Sequence, residues 1–443
     1  MKQLTITILC FICLSSCRTK EVPSSTYTKE INEVTYLLDS TDLGTNFNGT
    51  ILIADGPSIL FKKAYGSNQK NEPNQIDTKY GLASMGKMFT SISILQLQEN
   101  GQLSLDQTIG AILTDYPNNE AKQITIEQLL SHTSGLGDFF GPEFDKNQDH
   151  INSLSDILPY FVSDPLEFKP GERMRYSNAG FIVLGLIIEE TTGIDYNTYV
   201  TNHILEPTGM TATGPLTSSA GGGDTTVDDI YKFALALKNQ KLISPESFEK
   251  ATTDRFDNGY GYGMSLRQIN DKIVYGHNGG APGVSGELDM VMKENLIIIS
   301  LSNRSPMDGW AQVRTNIRKT FFGSTPEITE FLNTEEVMKT YAAHGYERAS
   351  DLLAELDNNI SDRNTFSFAE KFAMQGKPDK AIDILKLIVQ AYPDQWYPYN
   401  FLADFQLQAG LKEEAIKNYK ISLQINPENA EVIEKINNLE QGQ

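Results

Sequence analysis

The chain has 443 residues, 40% of them hydrophobic and 9% aromatic, with a formal net charge of −20. That composition excludes an intrinsically disordered chain and leaves room for two or three packed domains. The acidity is spread along the whole length and no segment forms a basic patch, so nucleic acid is excluded as a partner for want of any surface to hold a phosphate backbone.

Lys2 and the apolar run Leu4–Leu14 have the layout of an export signal, too short to span a bilayer. The run ends in Leu14-Ser15-Ser16-Cys17, which resembles the lipobox of bacterial lipoproteins. The resemblance implies removal of residues 1–16, acylation of Cys17, and an exported protein held by a lipid anchor in the cell envelope, on the periplasmic side or the outer surface. The only cysteines are Cys10, Cys13 and Cys17. Cleavage before Cys17 leaves neither a disulfide nor a free thiol, so stability must rest on core burial. Polar residues as far as Thr28 read as a tether over 17–28.

The β-prone tract Thr50–Ala54, the turn Asp55-Gly56-Pro57 and a second tract Ser58–Tyr65 predict a hairpin. From Ser84 the period changes: Met85, Met88, Phe89, Ile92 and Leu95 recur at helical spacing, and Asn100-Gly101 supplies a stop. Ala179 to Glu190 is nearly all apolar and ends before Gly193, as a buried helix does. A loop-rich, mostly helical stretch lies between the two. Strand signals return at Ile273–Tyr275, Glu287–Met292 and Leu296–Ser302, the last two joined by Lys293-Glu294-Asn295. Trp310, Val313 and Ile317 then mark a helix. Strands at both ends with helices between them predict an α+β domain over 29–325. One antiparallel sheet, closed by early and late segments and flanked by helices, carries an inserted, mostly helical subdomain.

Residues 326–443 form an all-α repeat region. Gly376 and Gly410 are 34 apart, and the same offset relates Ala381 to Ala415, Ile382 to Ile416 and Pro393 to Pro427. A 34-residue helix-turn-helix period resembles tetratricopeptide repeats. Two units, 362–395 and 396–428, precede a capping helix over 431–439, and 335–357 reads as a degenerate first unit. Such an array either packs on the rest of the chain or offers a concave surface to a protein partner.

Three short constellations carry chemistry. In Ser84-Met85-Gly86-Lys87 the i, i+3 spacing brings a hydroxyl and an amine together on one helical face, giving the serine the base that it lacks alone. Burial lowers a lysine toward a useful base. The same spacing occurs at Ser67/Lys70, in a polar run, and at Ser247/Lys250, on a charged helix; only Ser84 opens an apolar-faced one. Tyr176-Ser177-Asn178 precedes the buried helix, where Asn178 suits an N-cap, or else Tyr176 shares a proton relay with Lys87 while Asn178 orients the amine. Tyr116-Pro117-Asn118 lacks a following helix. His277-Asn278-Gly279-Gly280 reads as a hairpin turn or as a strand that approaches a ligand closely, with the Gly280 N–H joining that of Ser84 in an oxyanion hole.

In this order the three motifs resemble the serine β-lactamase and penicillin-binding protein superfamily, nearest its class C-like branch of esterases, D-aminopeptidases and DD-carboxypeptidases. Flanking runs agree, among them Leu129 to Leu136 and Gly221-Gly222-Gly223-Asp224. The likeness extends from about Tyr27 to Phe322. It implies an acylated Ser84, a general-base pair of Lys87 and Tyr176, and substrate contacts from Asn178, His277, Gly279 and Gly280. Its substrates are small molecules or peptides with an ester or amide bond. β-Lactam hydrolysis or penicillin binding is the alternative activity, and a catalytically silent scaffold that binds a protein through its repeats is the alternative role.

One departure is His277, where β-lactamases carry lysine. A histidine is mostly neutral at pH 7, so a substrate carboxylate would need another cation, Arg267 or Arg304. His132, His150, His203 and His344 do not pair at metal-ligand spacing, and no phosphate-cradling or nicotinamide motif occurs, so neither a metal nor a cofactor is expected. His132 reads as a core histidine.

Overall fold

The computed structural model describes residues 26–440. The signal, Cys17 and most of the tether lie outside the described residues. Eight strands form in the first 302 residues: β1 Gly49–Asp55, β2 Ser58–Tyr65, β3 Tyr80–Gly81, β4 Asp224–Thr225, β5 Ser265–Ile269, β6 Lys272–Ala281, β7 Val284–Val291 and β8 Leu296–Ser302. Six of them make one antiparallel sheet in the order β2-β1-β8-β7-β6-β5, and β3 pairs with β4. The hairpin β1–β2 is closed onto the late strands by β8, with Gly49 opposite Ser302.

Side chains alternate between two layers along each strand. Ile51 and Ile53 pack with Val34 and Leu38 of the helix Thr28–Ser40 and with Trp310, Val313 and Ile317. Leu52 and Ala54 face the other way, into a core built with Met85, Phe89 and Ile182. That second layer holds the helix Lys87–Glu99 and the helix Asn178–Thr192, both buried almost all round.

Three local expectations need correction. Asn178 is not the N-cap of its helix: Ser177 is, its hydroxyl accepting from the Gly180 N–H at 3.1 Å. The strand at Ile273–Tyr275 extends to Ala281, and His277 lies opposite Leu288 within it. The hairpin turn sits beyond, at Pro282-Gly283, so His277-Asn278-Gly279 is strand and not turn. The low β-propensity of three glycines hid this from the sequence. The edge strand β5 gave no signal because only Leu266 and Ile269 break its polar run.

The C-terminal helices are Pro326–His344, Tyr346–Glu355, Asp362–Met374, Pro378–Ala391, Tyr397–Gln408, Lys412–Ile425 and Ala430–Glu440. The 34-residue offset has a structural counterpart. Gly376 and Gly410 both take left-handed φ, 70° and 81°, just after a helix. Ala381 and Ala415 are both fully buried, as are Leu385 and Tyr419. The stretch 335–357 is broken by Gly345, at φ 82°, into the ends of two helices. Among the described residues no helix is long and apolar enough to cross a membrane.

Candidate active site

Ser84 lies on a 3-10 turn, Ala83–Gly86, that runs straight into the helix Lys87–Glu99; it precedes the α-helix instead of opening it. Ala83 is held at φ 43°, a strained region for a residue with a Cβ. The neighbouring backbone is glycine because nothing larger fits. A Cβ on Gly279 would stand 2.5 Å from the Leu82 carbonyl oxygen and 3.1 Å from the Ser84 nitrogen, and one on Gly221 would collide with the Ala83 carbonyl.

Lys87 is wholly buried. Its Nζ lies 3.2 Å from Ser84 Oγ and 2.7 Å from Asn178 Oδ1, and it also donates to the Ala220 carbonyl. Burial lowers its pKa to about 7, against a smaller upward pull from the Asp138 carboxylate. The contacts orient the base. An uncharged amine has two N–H bonds, and the Asn178 and Ala220 oxygens can only accept, so both protons go to them and the lone pair faces the Ser84 hydroxyl.

Tyr176 borders the same space at 37% exposure. Lys87 Nζ is 5.0 Å from the centre of its ring. Burial raises the phenol well above its ordinary value, and the interaction of its hydroxyl with Ser84 pulls the other way. Beneath it lies His132, 4.1 Å away between ring centres. His132 is buried, holds φ 58° and accepts the Ser177 N–H at Nδ1, 3.2 Å away, in keeping with a core role.

His277 is buried on the face of β6 toward the serine. Its Nδ1 is 2.5 Å from the Asn278 carbonyl and its Nε2 is 2.9 Å from the Tyr260 hydroxyl. A carbonyl only accepts, so Nδ1 carries the proton and Nε2 accepts from Tyr260. Burial, with the Lys87 charge, lowers its pKa to about 3. It stays neutral and supplies no cation. Nor does Arg267, which lies on the opposite face of the sheet, 3.1 Å from Glu287 and 3.4 Å from Asp289. The Arg304 guanidinium turns to the Asn303 and Ser67 carbonyls. The structure therefore brings Ser84, Lys87, Tyr176, Asn178, His277 and Gly279 to one place and withholds both arginines. Gly280 follows on the same strand, paired with Ser285 of β7 on one side, while on the other side β5 has ended opposite Gly276 and no strand among the described residues continues it.

Neither competing serine–lysine pair builds such a site. Lys70 is exposed, and Lys250 is 3.0 Å from Glu246, although Ser247 itself is buried against Glu99.

Sequence reasoning missed Asp138, Tyr260 and Ala220. Asp138 Oδ2 accepts from Asn178 Nδ2 at 2.7 Å, which turns Asn178 Oδ1 toward Lys87. The Ser177 hydroxyl donates to the Gly137 carbonyl at 2.6 Å and ties that loop to the helix. An aspartate after glycine reads as an ordinary turn residue, so the only available signal was its position just past the Leu129–Leu136 run. Among the described residues no three His, Cys, Asp or Glu side chains are placed to hold a metal ion.

Comparison with known proteins places the chain in a family. The family model described as Beta-lactamase matches residues 47–320. "Penicillin-binding protein 4*" of Bacillus subtilis is 30% identical over 311 residues, 58% of this chain and 68% of that protein. "Protein flp" of Staphylococcus aureus is 35% identical over 169 residues, 37% of this chain but only 34% of its own length. The crystal structure of a penicillin binding protein from Bacillus halodurans aligns at a TM-score of 0.55 with 29% identity, covering 65% of this chain and 99% of that one. A D-amino acid amidase from Ochrobactrum anthropi SV3, solved with D-phenylalanine, aligns at 0.56 with 20% identity, over 67% of this chain and 100% of that one, a likeness of fold alone. The chain belongs to the Beta-lactamase family and has the fold of the penicillin-binding proteins.

Proposed function

We propose that this protein is a serine hydrolase that forms an acyl-enzyme at Ser84 on small esters or amides. The observation that carries the reading is the buried Lys87 amine, brought to about 7 and aimed at Ser84 by two carbonyl oxygens. Lys87 takes the Ser84 proton as Oγ attacks the substrate carbonyl. The N–H groups of Ser84 and Gly280 receive the developing oxyanion. On collapse the alcohol or amine leaves with a proton returned by Lys87 through the Tyr176 phenol. Water, deprotonated by the same pair, then cleaves the ester and restores Ser84.

The neutral His277, with Arg267 and Arg304 engaged elsewhere, supports substrates that do not rely on a carboxylate: esters, D-amino acid amides and D-amino-acid peptides ahead of β-lactams and DD-carboxypeptidase substrates. One purified preparation assayed on a panel of these, with Ser84→Ala alongside, tests the proposal. Turnover and labelling by a fluorophosphonate or a fluorescent penicillin are expected in the wild type and absent in the variant. A wild type that neither turns over nor is labelled by any probe overturns the reading.

Export, and anchoring to the envelope through an acylated Cys17, belong to the same proposal, as does a division into a hydrolase domain over 29–325 and a tetratricopeptide-like domain over 326–443. Incorporation of labelled palmitate that disappears in Cys17→Ala checks the anchor. A second reading, protein binding through the helical region, is favoured by a concavity of about 230 Å³ lined by Met338, Tyr341, Phe368 and Phe372. Specific capture of a protein by the full chain that is lost on Phe372→Asp checks that reading.

A further inference from the structure

His132 stands where a smaller residue would meet the backbone with less strain. The short helix Ile126–Leu130 ends at Ser131, and His132 follows at φ 58°, the left-handed position that glycine or asparagine ordinarily takes after a helix. Glycine adopts that conformation at no steric cost. The imidazole is wholly buried, and its Nε2 has no hydrogen-bond partner among the described residues. Because Nδ1 accepts the Ser177 N–H, Nε2 carries the ring proton. A buried donor without an acceptor is a second cost. Backbone strain and an unmet donor at one residue beside a reactive site call for a role beyond filling space.

What His132 holds is the stretch that carries the phenol. Residues 173–177 belong to no helix or strand. His132 touches three of them in succession. Its carbonyl accepts from the Arg175 N–H at 2.9 Å, its ring stacks on that of Tyr176 at 4.1 Å between centres with a 34° tilt, and its Nδ1 accepts from the Ser177 N–H at 3.2 Å. The imidazole packs in turn on Phe181 and Tyr260, with ring centres 5.0 and 4.8 Å away.

The other rings near Tyr176 are farther off, His277 at 6.2 Å and Tyr260 at 6.3 Å. Part of the Tyr176 side chain is open to solvent, so its orientation depends on the contacts that cover the rest, and the closest ring among them is His132. We propose that His132 is a positioning residue for Tyr176: its ring, stacked on the phenol, holds the hydroxyl in reach of Ser84 and Lys87 during proton transfer. The inference rests on the reading of Tyr176 as half of the base pair, and it gives His132 no proton of its own to move.

His132→Asn isolates the ring, because asparagine suits the left-handed backbone and keeps an acceptor at the place of Nδ1. With an ester substrate, kcat and kcat/KM should fall together by roughly tenfold or more while KM stays, as when a contact works in the transition state. In the Tyr176→Phe background, which has no hydroxyl to position, the same change should cost less than about twofold. His132→Phe restores a ring and should recover most of the rate. Equal costs in the two backgrounds, or a folded His132→Phe no faster than His132→Asn, overturn the proposal. Crystals of full-length His132→Asn give a readout that needs no turnover. A Tyr176 ring displaced from its wild-type place is expected there, and an unmoved ring overturns the proposal. That measurement stands even if the wild type hydrolyses nothing, so its failure is distinct from failure of the hydrolase reading.

Discussion

An ammonium with no access to water is unfavourable, and burial accordingly brings Lys87 to about 7. The amine is the form that accepts a proton and it accumulates as pH rises through that value, so kcat/KM should climb to a plateau above about pH 7. The apparent value belongs to the Lys87–Tyr176 pair together. Asp138 pulls Lys87 upward and also turns Asn178. Asp138→Asn should therefore move the ascending limb to lower pH and cut the plateau by roughly tenfold, as positioning is lost. A pH–rate profile of the variant that superimposes on the wild type would contradict this. His277 makes an opposite demand at acid pH. Its folded pKa of about 3 lies below the unfolded value of about 6.5, so below 6.5 the unfolded chain binds a proton that the folded chain refuses. Stability from this source is full above 6.5 and is lost by up to about 1.4 kcal/mol per pH unit as pH falls toward 3. Buried His132 adds a loss in the same direction. Urea midpoints should fall between pH 7 and pH 5, and a flat midpoint would count against neutral buried imidazoles.

At the scale of elements, the site is a meeting of a strand edge with a strained turn. Strand β6 contributes Gly279 because its backbone must come against Leu82 and Ser84. A methyl there forces the turn or the strand aside. A shift near 1 Å in catalytic geometry costs about a hundredfold, so Gly279→Ala should lower kcat/KM by roughly that factor while the circular dichroism spectrum is kept. Near-wild-type rates would show that the close approach is not needed. The helix Asn178–Thr192 owes its position to its ends: Ser177 caps the start and grips the Gly137 loop, and Gly193 at φ 74° ends it with an N–H to the Glu189 carbonyl.

At the scale of the molecule, the helix Pro326–His344 is shared between two cores. Phe331 packs in the layer of Trp310 and Ile317, while Val337, Met338 and Tyr341 join the core of the C-terminal helices. Lys371 reaches back to Asp308 at 2.6 Å. Ending the chain at residue 325 would expose the surface that Phe331 covers, a loss of about 2–3 kcal/mol, so the truncated chain should melt roughly 4 °C or more below one ending at 344. Equal melting temperatures would show that the two cores are independent.

The α+β class, the two helices that bear Lys87 and Asn178, the hairpin β1–β2 and the 34-residue period could all be read from residue order, because each is written in local periodicity, turn residues or repeated spacing. Ser84, Lys87, Tyr176 and His277 were legible through motif order. Which partners complete them came out of the three-dimensional packing alone. Asp138 is 40 residues from Asn178, and Ala220 is 133 from Lys87; pairings at such separation leave no local pattern. The side of the sheet that Arg267 faces was likewise settled by the register of β5 on β6, since a period of two sends neighbouring residues to opposite layers and the glycines of β6 conceal where that strand ends.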